Sequence, residues 1–579
     1  MDRRQGHTTQ RASCNNSTTR WRTAQTLVRR CLGSLHKASN KIDLPRWDLQ
    51  PSQPATDPTS LGFVTKPIDE TIKLIYLAGI HNIQVFTTKP TRILGTQADM
   101  ATSIPTKNLR VKPQNVATSN RGQKKANGDE IFQMSDTGHQ INSVWIWLVD
   151  VFELPDTADR EQVTANLVKG LERTLGDHPE LMGTMHCDNE TKRIVIKLLE
   201  GGSAALHVKD ATAAEDQIPS FAWYDEHDYP VHRLERAHLI PAEASTLLMQ
   251  VAVDLDTPGP VVAAFQVTFI KGGVIISIAI SHQVSDGFGV DAFMTTWAAY
   301  SKAATTGEEA RLDADIPPHN LFTATTKPTP DEWEALRGKY PTMKYNTAPP
   351  PLLPAGFVLP VVKTRVFHFP RSKLAALKAE CSVGLPAGEF ISTYDSVVAL
   401  WWRVMLRAKQ PLLKFDDSQP THAILGVNMR KRTGKPISSR YIGCSVAIPH
   451  SDDVTVGQAL GPRAQALPLL ARTVRGATNQ VTPEYIDGQT QWAGGLDLRY
   501  NELNMPWFFG QDCMNFGWHD LNPYTSHDFG FGLPSGFRWP EMGFDSFLFV
   551  TLGMEESYFP HLEKDEELLA FCEQRGLGS

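Results

Sequence analysis

At 579 residues the chain is longer than one hydrophobic core usually organises, so two domains are expected. A hydrophobic share of 41% with 21% charged residues describes a soluble globular protein, and a net charge of −6 gives no footprint for a nucleic-acid partner. The longest apolar runs fall well short of the ~20 residues a membrane helix needs. The seven cysteines, Cys14, Cys31, Cys187, Cys381, Cys444, Cys513 and Cys572, are scattered singly. They indicate neither a zinc site nor a disulfide framework, and a reducing, cytoplasmic location fits them.

The chain opens differently from how it continues. Residues 1–41 hold nine Lys or Arg and one acid, Asp2. That composition reads as a disordered extension or as a mitochondrial transit peptide. Residues 42–130 stay rich in Pro, Thr, Asn and Lys, with Leu74–Ile83 as one short candidate element, so 1–130 is expected to be an extension. Order is expected from about Ile131. Val144–Phe152 is a dense run of β-formers. A helix should follow through Leu175, capped by Asp156 or Thr157, with Val163, Leu167, Leu171 and Leu175 on its buried face. Gly176 and Pro179 should end it. Ile194–Leu199 reads as a strand. Ala263–Ile270 and Val274–Ile280 flank Lys271-Gly272-Gly273 and read as a hairpin. Val290–Ala303 reads as a helix burying Phe293, Trp297 and Tyr300. Together 131–314 is the first expected domain.

Residues 315–360 hold many prolines, including Pro349-Pro350-Pro351, and read as a surface linker with one short helix over Asp331–Gly338. The second domain, 361–579, repeats the α+β style. Thr364–Phe369 alternates like a strand, and Ser372 should cap a helix burying Leu374, Leu377 and Cys381. Ser392 or Thr393 should start a strongly apolar helix through Met405. Strands are expected over Thr421–Val427 and Phe547–Leu552.

The chemistry-bearing candidate is the apolar, β-branched run that ends in Ser281-His282-Gln283-Val284-Ser285-Asp286-Gly287. A strand that delivers one imidazole to its end suits a general base, because imidazole titrates near neutrality. Asp286 would shape the loop. A hydrogen-bonded core histidine is the competing reading. With 18 histidines the spacing recurs, at His561 to Asp565. There the acids Glu563 to Glu567 look like the exposed start of a last helix. His282 is favoured because loops held by rigid strands carry sites. Gly287-Phe288-Gly289 lacks the final glycine of a dinucleotide fingerprint and reads as a turn. There is no Gly-x-Ser-x-Gly elbow, no Walker loop and no His-Glu-x-x-His.

A second motif, Asp528-Phe529-Gly530-Phe531-Gly532, reads alone as a tight turn anchored by rings. Paired with His282-x-x-x-Asp286-Gly287, it resembles the BAHD acyltransferases, which carry His-x-x-x-Asp-Gly midway and Asp-Phe-Gly-Trp-Gly near the C-terminus. The likeness is strongest to the fungal branch that includes trichothecene 3-O-acetyltransferase. It runs from about Ile131 to the end. Two departures stand out. Phe531 replaces the usual Trp, and Phe516-Gly517-Trp518 stands where Ser/Thr-Ser-Trp is usual, so a hydroxyl for the developing oxyanion is missing at Phe516.

The resemblance implies an α/β (α+β) fold of two chloramphenicol-acetyltransferase-like domains, each a mixed sheet flanked by helices, with a channel between them. It implies a monomer that takes acyl-CoA, with acetyl-CoA as the expected donor, and a small-molecule alcohol or amine, without bound cofactor, metal, nucleic acid or membrane. His282 would be the general base. Asp286 would point away and pair with Arg430 or Arg432, Gly287 would support the loop, and Trp518 would line the pocket. Asp528 to Gly532 would be structural. Two rival expectations remain. One is a condensation-domain-like enzyme, whose His-His-x-x-x-Asp-Gly motif Ser281 does not match. The other is a non-catalytic binding protein on the same fold.

Overall fold

The two long apolar runs form the centre of the first sheet. In the computed structural model, Trp145–Glu153 and Gly273–Ser281 pair antiparallel over their whole lengths, from Gly273 opposite Glu153 to Ser281 opposite Trp145. All nine residues of Gly273–Ser281 are buried, as a central strand covered on both faces requires. The structure describes residues 104–116, 121–141, 143–191, 193–246, 253–340, 343–345, 362–496, 501–503, 510–540, 546–548 and 551–575, all in one compact unit. Residues 1–103, with Leu74–Ile83, and the triple proline at 349–351 lie outside them. Among the described residues, no helix is long and apolar enough to cross a membrane.

The first sheet has six strands, in the order Thr106–Val111, Ala204–Asp210, Ala263–Ile270, Gly273–Ser281, Trp145–Glu153 and Gly536–Arg538. The helices Arg160–Asp177 and Gly287–Thr306 pack side by side on it. Gly170 permits their closeness: a Cβ there would lie 2.1 Å from Ser301 Oγ. A second sheet of seven strands runs Val446–Ala447, Ala423–Asn428, Cys513–Phe516, Ser546–Leu548, Thr551–Glu555, Val362–His368 and Glu573–Arg575. Its core includes Trp401, Trp402 and Val404 of the helix Thr393–Leu413 and Leu470 and Val474 of the helix Arg463–Gln480.

Several expectations move. Order starts before Ile131, because Thr106–Val111 completes an edge with Ala204–Asp210 in full antiparallel register. The first helix is capped by Asp159, which accepts from Gln162 N, whereas Asp156 instead accepts from Gly272 N and braces the hairpin turn. Ser372 lies inside the helix Arg371–Cys381, whose N-cap is Pro370. The glycines 287 and 289 are the first turn of a helix rather than a free turn, because Asp286 caps it. Phe547–Leu552 resolves into two strands, Ser546–Leu548 and Thr551–Glu555, paired antiparallel. The crossover is not all surface: His319, Phe322 and Tyr340 are buried.

The boundary between halves is also crossed in space. Gly536–Arg538, from the expected second domain, pairs with Trp145–Glu153 of the first, Gly536 opposite Val151 and Arg538 opposite Val149. Phe529 joins the first core with Phe152 and Trp297. The free edge of a long apolar strand needs a partner, and the returning chain supplies it.

Candidate active site

His282 continues the strand register: its backbone N–H donates to the Val144 carbonyl at 2.8 Å. Its ring turns back on its own loop, with Nδ1 3.1 Å from the Ser285 carbonyl oxygen. A carbonyl only accepts, so Nδ1 carries the proton and Nε2 keeps its lone pair. The ring's side-chain hydrogen bond runs through Nδ1, and the residue keeps partial exposure. Burial holds its pKa below 6.5, partly opposed by backbone hydrogen bonds and by the Asp286 charge. The imidazole is therefore neutral at pH 7, the state a base requires.

The loop is clasped from the other half of the chain. Ser285 Oγ donates to the Ile442 carbonyl at 2.7 Å, and Cys444 N donates to Val284 O at 3.2 Å. Gly289 allows this approach, since a Cβ there would lie 2.1 Å from the Ile442 oxygen. Gly138 plays the same part on the opposite side, where a Cβ would lie 2.0 Å from the Gln283 oxygen. The segment Tyr441–Ser445 was not singled out by sequence. Its only signal was Gly443, whose Cβ would lie 2.2 Å from the His319 carbonyl oxygen.

Asp286 is buried and faces away from solvent. Oδ1 accepts from Gly289 N at 2.8 Å, which caps the helix. Oδ2 accepts from Arg430 Nη1 at 2.9 Å and from Ser445 N at 2.7 Å. Burial opposes its ionisation, but Arg430 and these hydrogen bonds outweigh burial and hold the carboxyl below its usual range. Of the two candidate partners, Arg430 makes the pair. It also donates to the Tyr441 and Gly443 carbonyls. Arg432 instead donates to Thr478 O and Val481 O, at the end of the helix Arg463–Gln480.

Trp518 lies over the start of the helix, where a Cβ on Gly287 would be 2.4 Å from its ring, and packs on Trp539 at 4.4 Å between centroids. Phe516 fills the space above Gly426, whose Cβ would lie 2.2 Å from its ring, so an aromatic edge stands where a hydroxyl was expected. The second motif sits elsewhere. Asp528 Oδ1 accepts from Gly530 N and Gly532 N, at 2.9 and 3.2 Å, and Oδ2 from Lys302 Nζ at 2.8 Å. Gly530 and Gly532 have φ of 100° and 113°, which glycine alone adopts readily. Phe529 and Phe531 both meet Phe152 edge-on. Lys302 is fifteen residues along the helix from Gly287, so the motif lies roughly 22 Å from the histidine loop.

The sequence also gave no warning of His527. It is fully buried, with Nδ1 2.7 Å from Asp150 Oδ2 and Nε2 3.2 Å from Asp291 Oδ1. Burial disfavours its charge, but Asp150 and then Asp291 overcome this and push its pKa up to about 10. The competing match, His561, is exposed. Its Asp565 caps the short helix Glu566–Leu569 through Glu567 N and Leu568 N. Among the described residues, no group of three or more His, Cys, Asp or Glu is arranged to hold a metal ion.

Residues 144–300 match the trichothecene 3-O-acetyltransferase-like N-terminal domain. The chain is 27% identical over 406 residues to the acetyltransferase FGR3 of Gibberella zeae, covering 67% of this chain and 76% of that protein. It is 24% identical over 472 residues to the trichothecene 3-O-acetyltransferase TRI101 of Fusarium sporotrichioides, covering 75% and 94%. The solved structure of that enzyme, complexed with coenzyme A and T-2, matches with a TM-score of 0.61 at 19% identity, over 77% of this chain and 99% of that one. The fold, mixed sheets flanked by helices, is that of the TRI101 structure. The chain is similar to the fungal acetyltransferases in sequence and to TRI101 in architecture, which supports an acyltransferase enzyme.

Proposed function

We propose that this protein is an acyl-CoA-dependent O- or N-acyltransferase, with His282 as the general base and a hydroxylated small molecule of secondary metabolism as the acceptor. The observation that carries the reading is the tautomer: Nδ1–H is committed to the Ser285 carbonyl, which leaves the Nε2 lone pair on a partly exposed ring. Nε2 takes the proton of the acceptor hydroxyl or amine as its oxygen or nitrogen attacks the thioester carbonyl. The tetrahedral adduct collapses, the C–S bond breaks, and the imidazolium returns the proton to the departing thiolate. The products are the ester or amide and free coenzyme A. No acyl-enzyme is needed. The acetyltransferases among the relatives favour acetyl-CoA as donor, and the TRI101 complex favours coenzyme A as its carrier.

The test is thiol release from a panel of acyl-CoAs in the presence of cell extract, with products identified by mass spectrometry. His282→Ala should lower turnover at least ~100-fold, the low end of general-base contributions, with an unchanged melting temperature. A folded variant with full turnover ends the assignment. Because the His282 pKa is depressed below 6.5, the acid limb of kcat/KM should fall below pH 6.5. A limb above that value would point to a different base.

A further inference from the structure

Three successive carbonyls, those of Ile442, Gly443 and Cys444, are each taken by a side chain from a different part of the chain. Ser285 Oγ donates to Ile442 O at 2.7 Å, Arg430 Nη2 to Gly443 O at 2.8 Å, and Thr137 Oγ1 to Cys444 O at 2.7 Å. The same segment faces the histidine loop with its amides. Cys444 N donates to Val284 O, Ser445 N donates to Asp286 Oδ2, and Ser285 and Gly443 form an isolated antiparallel bridge. Ser285 and Thr137 are both fully buried, so removing either hydroxyl would strand a carbonyl away from solvent.

Ser285 joins this segment to the imidazole within one residue. Its carbonyl accepts from His282 Nδ1 at 3.1 Å, while its hydroxyl is anchored on Ile442, with a longer contact to the Asp286 carbonyl at 3.3 Å. The anchored side chain restrains the backbone from which that carbonyl hangs. Thr137 works from the other side. It belongs to the 3-10 helix Asp136–Gln140, whose Gly138 lies against the Gln283 carbonyl. That helix therefore touches both the histidine loop and the segment that holds it, and Arg193 fastens it in turn through Asp136. Which nitrogen of an imidazole carries the proton is set by the partner of the other. If the Ser285 carbonyl drifts, the proton is free to move to Nε2, the form that predominates in an unconstrained histidine, and Nε2 then has no lone pair with which to accept.

We propose that Ser285 and Thr137 are positioning residues for His282: their hydroxyls hold residues 442–444 against the loop and thereby keep the imidazole proton on Nδ1. Both hydroxyls act through backbone carbonyls. The effect on turnover rests on His282 being the base, whereas the effect on the tautomer does not.

The test is nuclear magnetic resonance of the full chain labelled with nitrogen-15 histidine, at a pH above 6.5 where the ring is neutral. The His282 signals are those that vanish in His282→Ala. Wild type should show the proton on Nδ1. Ser285→Ala should show an Nε2–H population, with kcat roughly 10- to 100-fold lower and KM for acyl-CoA within about twofold. Thr137→Val, which keeps the shape and removes the donor, should shift the tautomer in the same direction, and Thr137→Ser should restore it. The Thr137 pair decides the matter if Ser285→Ala does not fold. Folded variants at both positions with His282 still wholly Nδ1–H would overturn the proposal, as would a wild-type ring protonated on Nε2. A shifted tautomer with undiminished turnover would uphold the positioning role and count instead against His282 as the base.

Discussion

Asp286 shows how little of a residue's task its spacing conveys. One carboxylate caps the helix after the histidine loop through Gly289 and also anchors Arg430 and Ser445 from the other half. Asp286→Asn keeps the cap acceptor but leaves Arg430 without its counter-charge. Breaking a buried pair costs about 3–5 kcal/mol. Two backbone carbonyls still receive Arg430, so the low end of that range is expected in a denaturant melt. A variant as stable as wild type would remove Asp286 from the structural account. Gly289→Ala tests the clasp from the opposite direction. Its methyl would press on the Ile442 carbonyl, a backbone atom that cannot swing away, so turnover should fall with a lower melting temperature. The histidine and aspartate were legible because they are neighbours in sequence. The choice between Arg430 and Arg432 was not, because the two differ only in what they meet after folding: Arg430 meets Asp286, and Arg432 meets helix-end carbonyls.

Among the elements, the strands and helices around the site were readable from periodicity, and their ends were not. The first helix starts at Asp159 because that carboxylate reaches Gln162 N, while Asp156 is drawn to the hairpin turn at Gly272. Asp159→Ala should cost about 0.5–2 kcal/mol, and Asp156→Ala should leave the helix intact. Circular dichroism with thermal melts separates the two. His527 joins three elements at once: the strand Trp145–Glu153 through Asp150, the helix Gly287–Thr306 through Asp291, and the loop that opens the second motif. Its folded pKa, about 10, lies above the ordinary 6.5. The folded state therefore holds a proton that the unfolded chain releases first. The resulting stability is complete below pH 6.5 and is lost as pH rises toward about 10. His527→Gln should flatten that alkaline decline in urea melts. An unchanged slope would mean that the imidazole is not charged in the fold. No local pattern announces such a residue, since its two acids lie on a strand and a helix far away in the chain.

For the whole molecule, a division by sequence into residues 131–314 and 361–579 describes the style of each half but not its independence. Gly536–Arg538 closes the edge of the first sheet, and Phe529 fills the first core. A fragment of residues 104–314 would expose that edge and lack that ring, so it should aggregate when expressed alone. Co-expression with residues 315–579 should restore soluble material, and size-exclusion chromatography would show the two fragments eluting together. A soluble, monomeric first fragment would argue that the returning strand is dispensable. The resemblance that pointed to this architecture rested on two short motifs. The return of the chain from one sheet to the other was invisible, because a three-residue strand carries almost no periodicity.

Ser285 reaches across 157 residues of chain for its hydroxyl partner. During synthesis, the imidazole at position 282 thus leaves the ribosome long before the backbone that immobilises its loop. A half-made polypeptide carries the proposed proton acceptor without the scaffold that aims it. On the proposed reading, competence arrives late, as a property of both halves together.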